Sequence, residues 1–260
     1  MIFARPAAFG LAVGFALAAA LMLCTGAALA QVIARPARIL IGFPPGGVSD
    51  IVARHVADRL RGSYATSVIV ENRPGAGGRI AAEAVKNADP DGATLMVTPS
   101  PLITIYPHLY PRLAYDPVRD LTAVMILGGF PVVMIAGPAL PADIRTPQDA
   151  MRWAKAHPAQ ASYATSAAGS PLHFTGVVLA RAADAPLTHV PFKGGAPSML
   201  AVVGGQLPFA FMTPPTMIAQ LRAGKVRALA TSGAERSAFL PDVPTLREAG
   251  FGEIEVRDWI

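Results

Sequence analysis

The stretch Phe43-Pro44-Pro45-Gly46-Gly47-Val48-Ser49-Asp50 joins two contrasting segments of the chain. The apolar run 39–43 is typical of a buried strand, and the amphipathic run 51–60 is typical of a helix. In open α/β sheets, ligands bind beyond the carboxyl ends of strands, against helix N-termini. Adjacent glycines let a ligand approach the backbone, and the first turn of a helix has unpaired N–H groups. The stretch therefore predicts either a site for a carboxylate or phosphate, or a tight turn that binds nothing.

Strands and helices alternate after this turn. A strand at 67–71, a helix at 79–87 and a strand at 94–98 predict a parallel sheet with right-handed crossovers. The apolar runs 121–127 and 131–136 then mark the passage to a second α/β unit. In that unit we expect helices at 147–156, 172–183, 196–203 and 216–223 and strands at 162–165, 188–191, 207–211 and 227–231. The predicted fold class is α/β, with two lobes that each contain a mainly parallel sheet flanked by helices.

The second lobe has its own candidate loop, Ser166-Ala167-Ala168-Gly169-Ser170-Pro171-Leu172-His173. Like the first loop, it follows a predicted strand and precedes a predicted helix. Clefts between lobes are common sites for small ligands. The two loops are therefore expected to face each other and to present backbone N–H groups to the two ends of a small anion.

The first thirty residues have the composition of a secretory signal peptide. Arg5 is followed by the apolar run 7–23 and by Ala28-Leu29-Ala30, a suitable cleavage site before Gln31. A membrane-anchor helix is the alternative, because the apolar run approaches spanning length. The residues before Cys24 lack the small side chains typical of a lipoprotein. Because Cys24 is the only cysteine, the mature protein would have neither disulfides nor cysteine-based metal or redox chemistry.

The chain carries a formal net charge of +5 with its charges scattered, which does not indicate nucleic-acid binding. No Gly-x-Ser-x-Gly motif is present. Ser170 and His173 lie within one helical turn of each other, but no nearby acid in the sequence would orient the histidine. The expectation is a binding protein that is not an enzyme, with no cofactor and no metal. A small-molecule hydrolase with a site assembled in space is the remaining enzymatic alternative.

Several blocks together resemble the periplasmic solute-binding receptors of tripartite tricarboxylate transporters, the Bug family. The most specific block is Val70-Glu71-Asn72-Arg73-Pro74-Gly75-Ala76-Gly77-Gly78, and others are Phe43–Gly47, Pro90-Asp91-Gly92, His189–Gly194 and Pro241–Thr245. The resemblance covers residues 36–260. It implies a type II-like periplasmic binding protein, expected as a monomer. Such a protein closes on a small di- or tricarboxylate, acidic amino acid or aromatic acid and delivers it to membrane permease subunits. A receptor that signals to a membrane sensor is the alternative within the family.

The resemblance also implies which residues bind the ligand. They come from the two loops, from the end of the strand at 94–98, and from the segment 211–215: Phe43, Gly46, Gly47, Asp50, Thr98, Ser100, Ser166, Ala168, Gly169, Ser170, His173, Met212 and Thr213. For Asp50, a first-turn acid that interacts only with the helix dipole is the alternative.

Two departures from the family pattern bear on these expectations. Family members commonly have an aspartate in the segment 211–215, and its absence here predicts a more apolar pocket wall. The chain also ends at Ile260, where family members continue. We therefore expect a signal peptide at 1–30, the first part of lobe 1 at 31–125, lobe 2 at 126–235, and a return toward lobe 1 at 236–260 with its closing part missing.

Overall fold

A computed structural model describes residues 32–260, so the predicted signal peptide and its cleavage site lie outside the described residues. Within this range, no helix combines the length and the apolar character needed to cross a bilayer.

The first sheet has three parallel strands in the order β2-β1-β3. Its elements are β1 (Ala37–Ile41), α1 (Val48–Leu60), β2 (Val68–Asn72), a 3₁₀ turn (Ala76–Gly78), α2 (Arg79–Lys86) and β3 (Thr94–Met96). Ile39 and Ile41 of the central strand are fully buried, as expected for a strand covered on both faces by its crossover helices.

The two glycine-rich turns of the first sheet pack directly against each other. A Cβ atom on Gly42 would lie 2.3 Å from the Cα of Gly78, and Gly78 itself has φ +96°. The turns after β1 and β2 therefore require glycine at both positions, one for the close approach and one for the left-handed backbone.

Two short helices that the sequence did not predict follow β3, namely α3 (Pro101–Thr104) and α4 (Tyr106–Leu109). The apolar run 121–127 forms no strand, and Val124, Met125 and Ile126 are exposed. The chain then enters β4 (Gly129–Pro131), which pairs antiparallel with β10 (Arg257–Trp259). This small sheet lies where the chain passes between the two larger sheets.

The second sheet has five strands in the order β7-β6-β8-β5-β9. The elements are β5 (Val133–Ala136), α5 (Pro147–Ala156), β6 (Ser162–Thr165), α6 (Pro171–Ala182), β7 (Thr188–Pro191), α7 (Gly195–Val203), β8 (Phe209–Met212), α8 (Pro214–Arg222) and β9 (Arg227–Thr231). Strand β5 is antiparallel to both of its neighbours, whereas β6 pairs parallel with β7 and β8. The core around this sheet is aromatic: Tyr163 and Phe211 meet edge to face at 5.2 Å.

Two predicted helix starts were wrong, because residues suited to a cap or first turn lie further upstream. Helix α1 begins at Val48 with Gly47 as its N-cap, upstream of the amphipathic run 51–60 from which it was predicted. Helix α8 begins at Pro214 instead of residue 216, since proline fits the first helical position.

Candidate functional site

A cleft of about 510 Å³, including its opening to solvent, lies between the two larger sheets. It is lined by the loops after β1 and β3, by three loops that precede helices of the second sheet, and by β10. Its lining residues are Phe43, Gly47, Val48, Ser49, Pro99, Pro101, Ser166, Ala167, Ser170, Leu172, Gly195, Met212, Thr213, Thr216 and Asp258.

The two halves of the cleft touch at two places, so the cleft is in a closed arrangement. The hydroxyl of Tyr106 donates a hydrogen bond of 3.4 Å to the carbonyl of Ala168. Beside it, a Cβ atom on Gly169 would lie 2.3 Å from Cδ2 of Leu109. At the second place, a Cβ atom on Gly194 would lie 2.8 Å from Cδ of Pro44.

The first loop presents an uncapped helix N-terminus to the cleft. Gly47 has no side chain to accept a bond from the first turn of α1, and no side-chain cap is found. The N–H groups of Val48 and Ser49 have no acceptor within the helix. Both residues line the cleft. Because the N-terminus of a helix carries a partial positive charge, this edge of the cleft favours an anion.

Asp50 holds the first loop in place from behind. Its carboxylate accepts hydrogen bonds from the Gly46 amide at 3.0 Å, from Nδ2 of Asn72 at 3.0 Å, and from Nε and Nη2 of Arg54 at 3.0 and 2.9 Å. Burial acts to raise the pKa of Asp50, but these bonds outweigh it and the pKa falls below its usual value. The carboxylate is thus ionised and occupied by protein donors.

The second loop is also fixed by its own hydrogen bonds. The Ser170 hydroxyl donates to the carbonyl of Ala167 at 2.8 Å and accepts from the amide of His173 at 3.2 Å, which caps α6. The amide of Gly169, whose φ is +72°, donates to Nδ1 of His173 at 3.2 Å. His173 therefore stabilises the loop from behind.

A pair of neutral histidines lies beneath this loop. The rings of His173 and His189 stack with centroids 3.9 Å apart, and Nε2 of His189 lies 2.7 Å from Oγ1 of Thr165. Burial lowers the pKa of His173. Burial and the neighbouring His173 lower the pKa of His189 to about 4. Both rings are therefore uncharged at neutral pH.

One acidic side chain, Asp258, lines the cleft. It is 5% exposed, and its Oδ1 accepts from the hydroxyl of Ser100 at 2.7 Å and from the amide of Trp259 at 3.0 Å. Burial raises the pKa of Asp258, partly offset by these hydrogen bonds. No lysine or arginine is among the lining residues, so Asp258 is the only ionisable side chain of the described cleft wall.

The cleft brings together some of the residues predicted from the sequence and not others. Those that line it are Phe43, Gly47, Ser166, Ser170, Met212 and Thr213. Those that lie beside or behind the lining are Gly46, Asp50, Thr98, Ser100, Ala168, Gly169 and His173. Which of them contacts a ligand stays a prediction, but the hydrogen bonds of Asp50, Ser100 and His173 give each a structural partner.

Sequence reasoning missed several lining residues. Val48 and Ser49 lie in the quoted stretch at the start of α1, so that helix start was a signal for them. Gly195 likewise lies at the start of α7, directly after a turn. Asp258 had no local signal, because its partner Ser100 lies 158 residues away in the sequence.

Comparison with known proteins places this geometry among receptors. The model of the tripartite tricarboxylate transporter family receptor matches residues 52–260. BugT of Bordetella pertussis is 33% identical over 227 residues, which cover 87% of this chain and 69% of BugT. Against its curated relatives the chain spans about two thirds of their length.

Two solved structures from Rhodopseudomonas palustris share the fold. Rpa4515, solved with adipate, aligns with a TM-score of 0.82 at 30% identity, over 86% of this chain and 75% of that one. MatC, with bound malate, aligns with a TM-score of 0.77 at 33% identity, over 86% and 76%. The predicted resemblance and the α/β binding-protein fold are confirmed, and the matching family is one of receptors, not enzymes.

Proposed function

Because the chain belongs to the tripartite tricarboxylate transporter receptor family, we propose that it captures a small carboxylate between its lobes in the periplasm. In this proposal the protein acts as a monomer and presents the acid to the membrane components of a transporter of that type. The predicted signal peptide at 1–30 would direct its export.

The observation that carries the proposal is the uncapped N-terminus of α1 on the cleft wall. The N–H groups of Val48 and Ser49 have no acceptor among residues 32–260, and the other donors of the cleft lining are neutral. Backbone amides and hydroxyl groups bind a carboxylate without the permanent countercharge of an arginine. Binding through such groups suits a receptor that must also release its ligand.

Closure of the lobes is the expected mechanism. In the arrangement in which Tyr106 reaches Ala168 and Pro44 reaches Gly194, both loops border the cleft and a ligand would contact both. A ligand shifts the population toward the closed form by as much as it binds that form better than the open one. The two similar receptors that hold adipate and malate support a small dicarboxylate as the ligand class.

A substitution at Gly47 tests the site. Gly47 has φ −80° and ψ 168°, which valine adopts readily, and a Cβ atom there has one near neighbour, the Pro44 carbonyl at 3.6 Å. Gly47→Val should therefore leave the unliganded melting temperature close to that of the original chain. It should weaken carboxylate binding at least tenfold, because the side chain occupies the space in front of the α1 amides.

The assay is a thermal shift with malate, succinate, adipate, citrate and aspartate, followed by calorimetry. A bound acid at a hundredfold excess over Kd stabilises the protein by about 2.7 kcal/mol. Ala159→Val, at an exposed turn of the second lobe, is the matched control and should bind like the original chain. A folded protein that responds to no carboxylate, or a Gly47→Val variant with unchanged affinity, would contradict the proposal.

A further inference from the structure

The position of Asp258 bears on which chemical groups an acid can present to the wall of the cleft. Its hydrogen bonds to other described residues, from Ser100 and Trp259, both end on Oδ1. The residue nevertheless lines the cleft, which leaves Oδ2 as the oxygen available to a ligand. A ligand in this cleft therefore meets both a buried carboxylate and the α1 amides.

No cation of the lining neutralises this carboxylate. Arg54, near the first loop, is engaged by Asp50 at 2.9 Å, and Arg79 lies over the Tyr110 ring at 3.8 Å from its centroid. A second carboxylate brought against an ionised Asp258 would meet a like charge in a poorly solvated place, which is unfavourable. A ligand that offers a hydrogen-bond donor there instead satisfies Oδ2 and avoids the cost of leaving it unpaired.

Resting on the proposed function, we propose that Asp258 is a specificity-determining residue. It selects acids whose carbon chain carries a hydroxyl or ammonium group over unsubstituted acids of the same length. Ser100 acts as its positioning residue, because the 2.7 Å bond to Oδ1 fixes which oxygen faces the ligand.

Matched acids that differ by one group measure this selection. The pairs are succinate with malate or aspartate, adipate with 2-aminoadipate, and tricarballylate with citrate. In calorimetry on the full chain, at least one substituted acid should bind tenfold or more tightly than its unsubstituted counterpart, which corresponds to about 1.4 kcal/mol.

Two variants separate the charge of Asp258 from its hydrogen-bonding capacity. Asp258→Asn keeps the shape and an acceptor for Ser100, so it should reduce the preference for ammonium-bearing acids to threefold or less. Asp258→Ala should remove the preference for hydroxyl-bearing acids as well. The preference is measured in each variant as the ratio of the two affinities, and melting temperatures show which variant is folded and therefore informative.

Ser100→Ala tests the positioning role. It should reduce the ratio of the two affinities in part, a pattern that a general loss of stability would not produce. The inference is overturned if unsubstituted acids bind as tightly as their substituted counterparts, or if the preference survives in a folded Asp258 variant. Binding of unsubstituted acids alone would refute the inference and leave the proposed function intact, whereas a folded chain that binds none of these acids would refute the function itself.

Discussion

Replacement of Asp50 by alanine separates a supporting role behind the first loop from direct contact with the ligand. The carboxylate is buried and receives bonds from Gly46, Asn72 and Arg54. Arg54 is 53% exposed, so solvent screens its pair with Asp50 and the pair contributes little stability. The bonds from Gly46 and Asn72 to an ionised group contribute roughly 1 kcal/mol each, after a discount for the exposure of Gly46.

The expected loss for Asp50→Ala is therefore about 2–3 kcal/mol. For a chain of this size that corresponds to a fall in melting temperature of roughly 5–10 °C. Arg54→Ala is the matched control, since it removes two of the bonds to Asp50 and leaves those that hold the loop. It should change the free energy of unfolding little and leave carboxylate affinity within twofold.

Urea unfolding and calorimetry on both variants provide the readout. Asp50→Ala should weaken binding together with stability, because Gly46 and the adjacent Gly47 lose their anchor. The contribution of Asp50 should be present above its ordinary pKa and disappear as the pH falls through its lowered folded-state pKa. If Asp50→Ala abolishes binding at unchanged stability, Asp50 contacts the ligand directly and the supporting role is wrong.

Three further outcomes follow from the packing and titration of the two loops. Burial and the neighbouring His173 lower the pKa of His189 from 6.5 to about 4. The free energy of unfolding should therefore be highest above pH 6.5 and fall by at most about 3 kcal/mol as the pH drops to 4. A pH series of melting temperatures should be flatter for His189→Gln. Gly42→Ala should destabilise the chain by about 1–3 kcal/mol in urea unfolding, because its Cβ atom would meet the Gly78 backbone at 2.3 Å. Gly169→Ala should weaken ligand binding through both its φ of +72° and its contact with Leu109, and Leu109→Ala in the same chain should restore part of the affinity measured by calorimetry.

The local sequence pattern was sufficient to predict most of the strands and helices that border the cleft. The alternation of apolar runs with Gly- and Pro-rich turns predicted β1, β2, α2 and most of the second sheet, because each depends on neighbours in the sequence. The short helices α3 and α4 were not predicted, since four residues are too few for a periodic signal. The antiparallel direction of β5 was not predicted either, because it depends on how the chain enters the second sheet.

The candidate site divides in the same way between local and long-range information. Residues that follow from a loop next to a helix start, such as Gly47 and Ser170, were predicted and line the cleft. Asp50 and His173 were also predicted, but each lies behind its loop, because its side chain completes hydrogen bonds that the loop requires. A sequence pattern does not distinguish a residue that shapes a loop from one that faces its ligand.

Different elements of the cleft would attract a carboxylate and select among acids. Amides at the start of α1 attract any carboxylate and carry no information about the rest of the acid. Selection must then come from side chains on the other walls. The segment 211–215 lacks an acid and contributes Met212 and Thr213, which predicted a more apolar pocket. Asp258, in β10, places a carboxylate on the wall of that same cleft. Strand β10 pairs with β4 where the chain passes between the lobes. Under the role proposed for Asp258, the cleft therefore prefers acids that carry a hydrogen-bond donor, although its apolar segment alone would not favour them.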